Sequence, residues 1–365
     1  MKKLLIWLAG IVLILGALWY WAETWLSNRT REAIAANDQL RIASIVPLRN
    51  PTRIGLHMEA LDTGDDKNGL SAQDLDIYVP VYQPNALTIN LPRHMTIHQS
   101  GALHELNMDK GILRASFSPS PALTLHRVRL EMRNFGIDGV TPLFESADAK
   151  AKLIHMGVAA PDGSAAAYAI DLNMNRLAAG TLKDRINIVG LAQIWLSSIP
   201  GKAVLDGQVP PPHLTGIQTS GIDFRMGGMH ARLISRITAD ENGFAEGEAA
   251  LYTDDARAFI DAAIEAGLIP QRAAMMVGAL LKNLSDTRIA SDNGQTDNDR
   301  GASRTHSDKA GTAKTETNSV DDVVSLPPAG PGQVRLPIIL KDGKIRLGPI
   351  PLGPAPRLVP AQATG

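Results

Sequence analysis

The chain has 365 residues. Without an apolar N-terminal run and a polar low-complexity stretch, about 300 residues remain, enough for one large domain or two ordinary ones. Its 36 Lys and Arg residues balance 37 Asp and Glu residues, so the basic surface that nucleic-acid binding needs is missing, and the lack of cysteine excludes disulfide bonds, thiolate zinc sites and cysteine nucleophiles.

The first predicted element is a membrane-spanning helix. Residues 4–22 carry no charge, and a helix of 19 residues at about 1.5 Å per residue crosses most of a hydrocarbon core roughly 30 Å thick. Lys2 and Lys3 place the N-terminus in the cytoplasm by the positive-inside rule. The run ends in aromatic residues that suit a membrane–water interface: Trp19, Tyr20, Trp21 and Trp25. We therefore expect a transmembrane signal anchor at 1–26, with cleavage as a signal peptide as the alternative.

A series of strands follows a short helical stalk. Residues 27–38 continue the helical pattern and end at Asn37 and Asp38. Beyond them apolar and polar residues alternate, which predicts strands with one dry face; clear apolar positions are Leu87, Ile89, Leu91, Ile170 and Leu172. The parity of this alternation changes near His126 and Arg127, which predicts a β-bulge. Many strands with one polar face each favour an antiparallel sheet.

Residues 254–285 show helical spacing instead. Thr253–Asp255 offers a cap and acidic first-turn residues, and apolar residues then recur every three or four positions. Pro270 opens a second helix, whose apolar stripe includes Met276 and Leu280. The two helices are predicted to lie on the sheet as a helical hairpin.

The last third of the chain combines a polar insertion with a β-hairpin. Residues 291–319 contain no Val, Ile, Leu, Met or aromatic residue, which predicts a disordered insertion over 291–325. Two strands then flank Asp342 and Gly343, a pair suited to the positive φ angles of a tight turn. Pro337 within the first of these strands predicts an edge position or a local break.

The predicted fold class is mainly β with some α (α+β). It consists of an N-terminal transmembrane helix followed by a large curved antiparallel sheet with a helical hairpin packed on it. The predicted boundaries are 1–26 for the anchor, 27–38 for the stalk, 39–290 for the β-rich domain including the hairpin at 254–285, 291–325 for the insertion, and 326–365 for the C-terminal β-hairpin and Pro-rich tail.

The C-terminal region resembles a known family. Residues 341–358 read KDGKIRLGPIPLGPAPRL and are similar to the closing motif of the uncharacterised family called domain of unknown function 2125. Its members also resemble this chain in an N-terminal membrane segment, a β-rich middle and a helical stretch like that at 259–270. The resemblance implies a Gram-negative envelope protein, and it brings no catalytic residues. With the expected anchor, we predict a single-pass protein of the inner membrane with a periplasmic C-terminal domain. The insertion at 291–319 departs from the family pattern.

Neither a catalytic nor a metal-binding constellation is evident. His94 and His98 would share one face of a strand about 13 Å apart, too far to ligate one ion at roughly 2 Å. We expect these histidines to be solvated, on a polar face that also carries Thr88, Asn90 and Thr96. The motifs of nucleophilic, metal-dependent and phosphate-binding enzymes do not occur. We therefore predict a protein without metal or cofactor that is not an enzyme.

Three functions are weighed for the ectodomain. The leading hypothesis is that the apolar sheet face, incompletely covered by the helical hairpin, forms a groove for lipid acyl chains; the contact candidates are Leu87, Ile89, Leu91, Ile170, Leu172, Met276 and Leu280. The second is a scaffold partner of an envelope protein complex, which would use a sheet edge or the Pro-rich tail. The third is a hydrolase, which would require a nucleophile and base that converge in space.

Overall fold

The computed structural model of the protein describes residues 24–32, 40–64, 68–139, 141–180, 182–265, 326–348 and 350–359. Three predictions fall outside these residues: the membrane span at 4–22, the second helix with Met276 and Leu280, and the insertion at 291–325. Among the helices that are described, none is long and apolar enough to cross a membrane.

The described residues form 17 strands and three helices, which confirms the prediction of a mainly β fold built on an antiparallel sheet. The helices are α1 (24–32), α2 (Lys202–Leu205) and α3 (Ala256–Glu265). The strands are β1 Leu40–Pro47, β2 Arg53–Gly64, β3 Asn68–Pro80, β4 Ala86–Leu91, β5 His94–Gln99, β6 Ala102–Asn107, β7 Lys110–Phe117, β8 Leu125–Ile137, β9 Phe144–Ile154, β10 Ala166–Leu177, β11 Ile186–Leu196, β12 Leu214–Met226, β13 Met229–Ala239, β14 Ala245–Thr253, β15 Val334–Lys341, β16 Lys344–Leu347 and β17 Ile350–Pro354.

All of these strands belong to one sheet in which most neighbours in sequence are neighbours in space. β3 pairs with β4 through its C-terminal part and with β5 through its N-terminal part, so β4 and β5 share one place in the sheet. β6 and β7 share the next place, because both pair with β8. From β8 to β17 each strand pairs with its successor, and β1 pairs with β2, so β1 and β17 are the edges of the described sheet.

One face of this sheet is apolar across nearly its full width. Directly opposed residues of antiparallel strands point to the same face, so a row of partners identifies it. Every member of one such row, from β2 to β15, is apolar: Leu56, Ile77, Ile89, Leu113, Leu130, Ala149, Leu172, Gly190, Ile222, Leu233, Leu251 and Leu336. We call the face that carries this row the apolar face.

The opposite face is mostly polar. The adjacent row of partners on the same strands is His57, Asp76, Asn90, Ile112, Glu131, Asp148, Asn173, Val189, Asp223, Arg232, Tyr252 and Arg335. Cross-strand ion pairs form on it, for example between Arg133 and Asp148 at 3.2 Å. The contrast between the two faces follows from the alternation of apolar and polar residues in the sequence, because successive residues of a strand point to opposite faces.

The connections before β8 and after β11 meet at one end of the sheet. The Leu125 amide donates to the Pro200 carbonyl at 2.8 Å and the Lys202 amide to the Ala122 carbonyl at 2.9 Å, although β9 and β10 lie between β8 and β11. The Tyr168 hydroxyl, on the apolar face of β10, donates to the Leu125 carbonyl at 2.7 Å. The connection between β11 and β12 thus reaches across β9 and β10 to the start of β8.

Alkaline pH should destabilise the fold through Tyr168. Burial raises the pKa of Tyr168 to about 12, whereas a phenol in an unfolded chain ionises near 10. Folding therefore favours the protonated phenol, and this contribution to stability is complete below about pH 10 and is lost as the pH rises toward about 12. We expect the urea midpoint of unfolding to fall over this interval, and to fall less in Tyr168→Phe. An equal fall in both proteins would contradict the assignment.

Helix α1 lies on the apolar face beside β1. Leu26 packs against a cluster formed by Ile45, Leu56 and Met58. The Arg31 guanidinium and the Ser27 hydroxyl both donate hydrogen bonds to the Ile45 carbonyl, so the helix covers part of this edge strand. Residues 27–32 of the predicted stalk are thus helical and packed on the domain.

The predicted β-bulge is confirmed. In the pairing of β7 with β8, Ser116 opposes Arg127 and the next residue, Phe117, opposes Leu125. His126 is therefore the extra residue of the bulge, where the alternation in the sequence changes parity.

The predicted C-terminal hairpin is also confirmed, and its proline is explained. Asp342 and Gly343 have φ angles of 52° and 68°, as a type I′ turn requires. The strand with Pro337 is not an edge, because β15 pairs with both β14 and β16. The pairing of β15 with β16 ends at Ile338, one residue after Pro337, while the pairing with β14 continues past it. The Gly348 amide, just beyond β16, donates to the Pro337 carbonyl at 3.0 Å. Pro337 therefore lies at a local break of the β15–β16 ladder, as predicted.

The prediction that Thr88 lies on a solvated face is wrong. Thr88 is fully buried. Thr88 opposes Tyr78 on β3 and Arg114 on β7, and both of these neighbours carry much longer side chains on the same face. The sequence pattern of β4 alone does not reveal these neighbours.

Candidate functional site

An apolar cavity of about 480 Å³ lies between α3 and the sheet. Its floor is formed by residues of the apolar face, including Leu233, Leu251 and Leu336, and α3 forms a wall with Ile260 and Ala262. Every lining residue is Leu, Ile, Ala, Met or Phe. The cavity is in the size range of small-molecule sites, which are usually apolar with a few polar groups.

The sequence around α3 explains why this helix leaves space beneath it. The Asp255 carboxylate accepts a hydrogen bond from the Ala258 amide at 2.9 Å, which confirms the predicted cap and fixes the start of the helix. Ala256, Ile260 and Ala263 are its buried residues and recur at helical spacing on the side that meets the sheet. Two of these three contact residues are alanines, so the helix covers the apolar face without filling the volume above it.

The predicted contact residues lie on the same face as the cavity but outside it. Leu87, Ile89 and Leu91 are on β4 and Ile170 and Leu172 on β10, and each is neither fully buried nor fully exposed. β7, β8 and β9 separate the two groups, which places them about 19 Å apart at roughly 4.8 Å per strand. The structure thus puts all five on one surface without bringing the two groups into contact. Met276 and Leu280 lie outside the described residues.

Small residues surround the two candidates on β10. Ile170 opposes Ala151 and Ala192, and Leu172 opposes Ala149 and Gly190. On the apolar face, the side chains of the flanking strands β9 and β11 therefore project less far from the sheet than those of β10. A flexible hydrocarbon chain would find van der Waals contacts here without displacing a side chain.

Sequence reasoning did not find the residues that line the cavity. Phe224, Met226 and Leu251 belong to alternating segments that predict strands, but the cavity forms only because β11 to β17 pair in sequence and α3 returns over them. The sequence feature that points toward the cavity is the helical spacing at 259–264, because it predicts a helix packed on the apolar face.

The titratable groups of the described chain lie away from the cavity. Among these residues there is no group of three or more His, Asp or Glu side chains arranged to hold a metal ion. His104 Nδ1 is 2.5 Å from Asp138 Oδ2, and hydrogen bonds from His104 and from the Glu105 amide hold the pKa of Asp138 below its ordinary value. His94 Nδ1 is 2.6 Å from Asn107 Oδ1. These are surface contacts between neighbouring strands and connections.

Comparison with known proteins gives one match. A family model described as "Uncharacterized protein conserved in bacteria (DUF2125)" matches residues 50–288, which is more than half of the chain. No curated protein and no solved structure matches. The matched range includes β2 to β14 and α3, and therefore most of the apolar face and the helical wall of the cavity.

Proposed function

The chain belongs to the DUF2125 family of uncharacterised proteins conserved in bacteria, and from this premise we propose that it holds a lipid acyl chain on the apolar face of its sheet. The observation that carries the proposal is the continuity of this face, which runs from β2 to β15 and ends in a cavity of about 480 Å³ without polar lining. The expected anchor at 1–26, the inner membrane and a periplasmic domain are part of the same proposal.

The partial burial of side chains in the middle of the apolar face favours a bound ligand over a closed hydrophobic core. Leu113, Leu130, Ile170 and Leu172, in the middle of the apolar face, are only partly buried, whereas the core residues Leu251 and Leu336 beneath α3 are almost fully buried. A surface of this width and composition is unfavourable in water, at about 25 cal/mol for each Å² of exposed apolar area. An acyl chain would cover it and gain about 0.8 kcal/mol for each methylene group that it buries.

The lining of the cavity favours lipid over a reactive substrate. A hydrolase would need a nucleophile, a base and oxyanion donors within hydrogen-bond distance of one another. None of the residue types that line the cavity supplies these groups. Dispersion and the hydrophobic effect are the interactions that remain, and both suit a hydrocarbon chain.

The edges of the described sheet are poorly suited to the alternative, a scaffold that adds a strand from a partner. β17 contains Pro351 and Pro354, which have no amide hydrogen to donate to an added strand. At the other edge, the Ile45 carbonyl of β1 already accepts hydrogen bonds from α1. Both features are ones that natural sheets use against edge-to-edge association.

Photo-crosslinking tests the proposal on the full chain. The protein is reconstituted in vesicles that contain a phospholipid with a diazirine on its acyl chain, and crosslinked residues are located by mass spectrometry after illumination. We expect crosslinks on the apolar face, at Leu172, Leu233 or Leu251, and none on their polar-face neighbours Asp171 and Arg232. Crosslinks confined to residues 1–26, or equal on the two faces, would refute the proposal.

A further inference from the structure

Several connections lie together at the end of the sheet where α1 begins. Because the strands are antiparallel, this end carries the connections at 48–52, 81–85, 118–124, 155–165, 197–213, 240–244 and 342–343. The Arg49 guanidinium donates to the Thr24 hydroxyl at 3.1 Å, which holds the first described residue of α1 beside the connection between β1 and β2. We call this end the anchor-side rim. The apolar cavity is at the other end, next to the connections β10–β11 and β12–β13.

The anchor-side rim exposes large apolar side chains that the fold leaves uncovered. Tyr82 is 81% exposed and Val158 is 86% exposed, whereas the opposite end contributes only Leu103 and Ile137 to the exposed large apolar residues of the described chain. Those on the rim are Trp25, Val46, Val81, Tyr82, Leu123, Val158, Ile199 and Val209. Such clustering at one end marks an interaction surface, because exposed apolar residues on a soluble face are normally scattered.

Hydrogen bonds join connections of the rim at two places. The first is near α1, where the Val81 amide donates to the Thr52 carbonyl at 3.0 Å and so joins the connections at 48–52 and 81–85. The second is where the hydrogen bonds of Leu125 with Pro200 and of Lys202 with Ala122 bring Leu123 and Ile199 into neighbouring connections. The backbone at both places is therefore fixed by hydrogen bonds.

We propose that the anchor-side rim docks on the surface of a lipid bilayer. The uncharged run at 4–22 is separated from Thr24 only by Glu23, so a chain that leaves a membrane at the end of this run enters the domain at this rim. The connections at 48–52 and 81–85 contain no acidic residue and carry Arg49, which suits anionic headgroups beside the apolar side chains. Tyr and Trp are also the residues that favour membrane interfaces.

Docking would determine which end of the apolar face lies nearest to the membrane. Its rim end would meet the bilayer, and the cavity beneath α3 would be the distant end of the path. The role of the anchor-side rim in lipid binding rests on the proposed function. Its docking on a bilayer can be tested separately, because the depth of a label in the bilayer and crosslinking on the apolar face are independent measurements.

The sequence contains no cysteine, so single labels can be introduced without background. Tyr82→Cys and Val158→Cys would carry a polarity-sensitive fluorophore on the rim, and Leu103→Cys, 55% exposed at the other end, is the matched control. The full chain is reconstituted in phosphatidylethanolamine and phosphatidylglycerol vesicles with and without nitroxides on the acyl chains. Thermal melting confirms that each labelled protein is folded.

We expect the nitroxide lipids to quench both rim labels at least about threefold and to leave the Leu103 label unchanged. Quenching at both rim sites with none at Leu103 supports docking whether or not crosslinks form on the apolar face. A rim label that is quenched no more than the Leu103 label would overturn the proposal, even if acyl-chain crosslinks are found at Leu233 or Leu251.

Discussion

Replacing Ala262 by Trp should reduce acyl-chain crosslinking at the cavity by about tenfold or more, which corresponds to at least about 1.4 kcal/mol of binding free energy. Ala262 lines the cavity from α3 and is only partly buried, so a larger side chain can enter the open volume without displacing the helix. The indole would then occupy the space that we assign to the hydrocarbon chain. The measurement is the crosslinking yield at Leu233 and Leu251 in the variant and the wild-type protein.

Asp261→Trp is the control for this experiment. Asp261 is the preceding residue of α3 and is exposed, so the same side chain is added to the same helix without entering the cavity. Loss of helix propensity costs Ala262→Trp less than about 0.7 kcal/mol and costs Asp261→Trp less still, because aspartate is a poorer helix former than alanine, and thermal melting should show both variants to be folded. Equal crosslinking yields in Ala262→Trp and Asp261→Trp would mean that the cavity is not part of the lipid site.

The strands and the apolar face could be predicted because they depend on local sequence. Leu172 lies between Asp171 and Asn173, and this alternation decides which side chain faces water wherever the strand is placed. The bulge at His126 could be predicted for the same reason, since an extra residue changes the parity of the pattern.

The pairing of strands could not be predicted, because it depends on contacts between distant segments. Ile217 and Ile222 are five residues apart on β12 and would point to opposite faces of a regular strand. They share the apolar face, because Ile217 opposes Ile194, Ile222 opposes Gly190 and the register shifts between them. The position of the cavity follows from such registers and from the path of α3, neither of which is encoded in a short window of sequence.

The second large effect should follow from truncation of Trp195. This side chain is fully buried, packs with Ala159 and Ala167, and donates from Nε1 to the Met156 carbonyl at 3.2 Å. Trp195→Ala removes the largest side chain of this cluster and leaves a cavity that backbone relaxation fills only in part, so we expect a loss of about 3–5 kcal/mol in the free energy of unfolding. Thermal and urea unfolding measure it, and the melting temperature should fall by about 10 °C.

Leu191→Ala is the matched control, because Leu191 points to the same face of the same strand but is 58% exposed. It should change the free energy of unfolding by less than about 0.5 kcal/mol. Trp195 belongs to the face opposite the apolar row, since it opposes Ala167 whereas Gly190 opposes Leu172. Below its melting temperature Trp195→Ala should therefore keep the wild-type crosslinking yield at Leu233 and Leu251. A loss of crosslinking in the folded variant would show that the two faces of the sheet are coupled and that the lipid site is not confined to the apolar face.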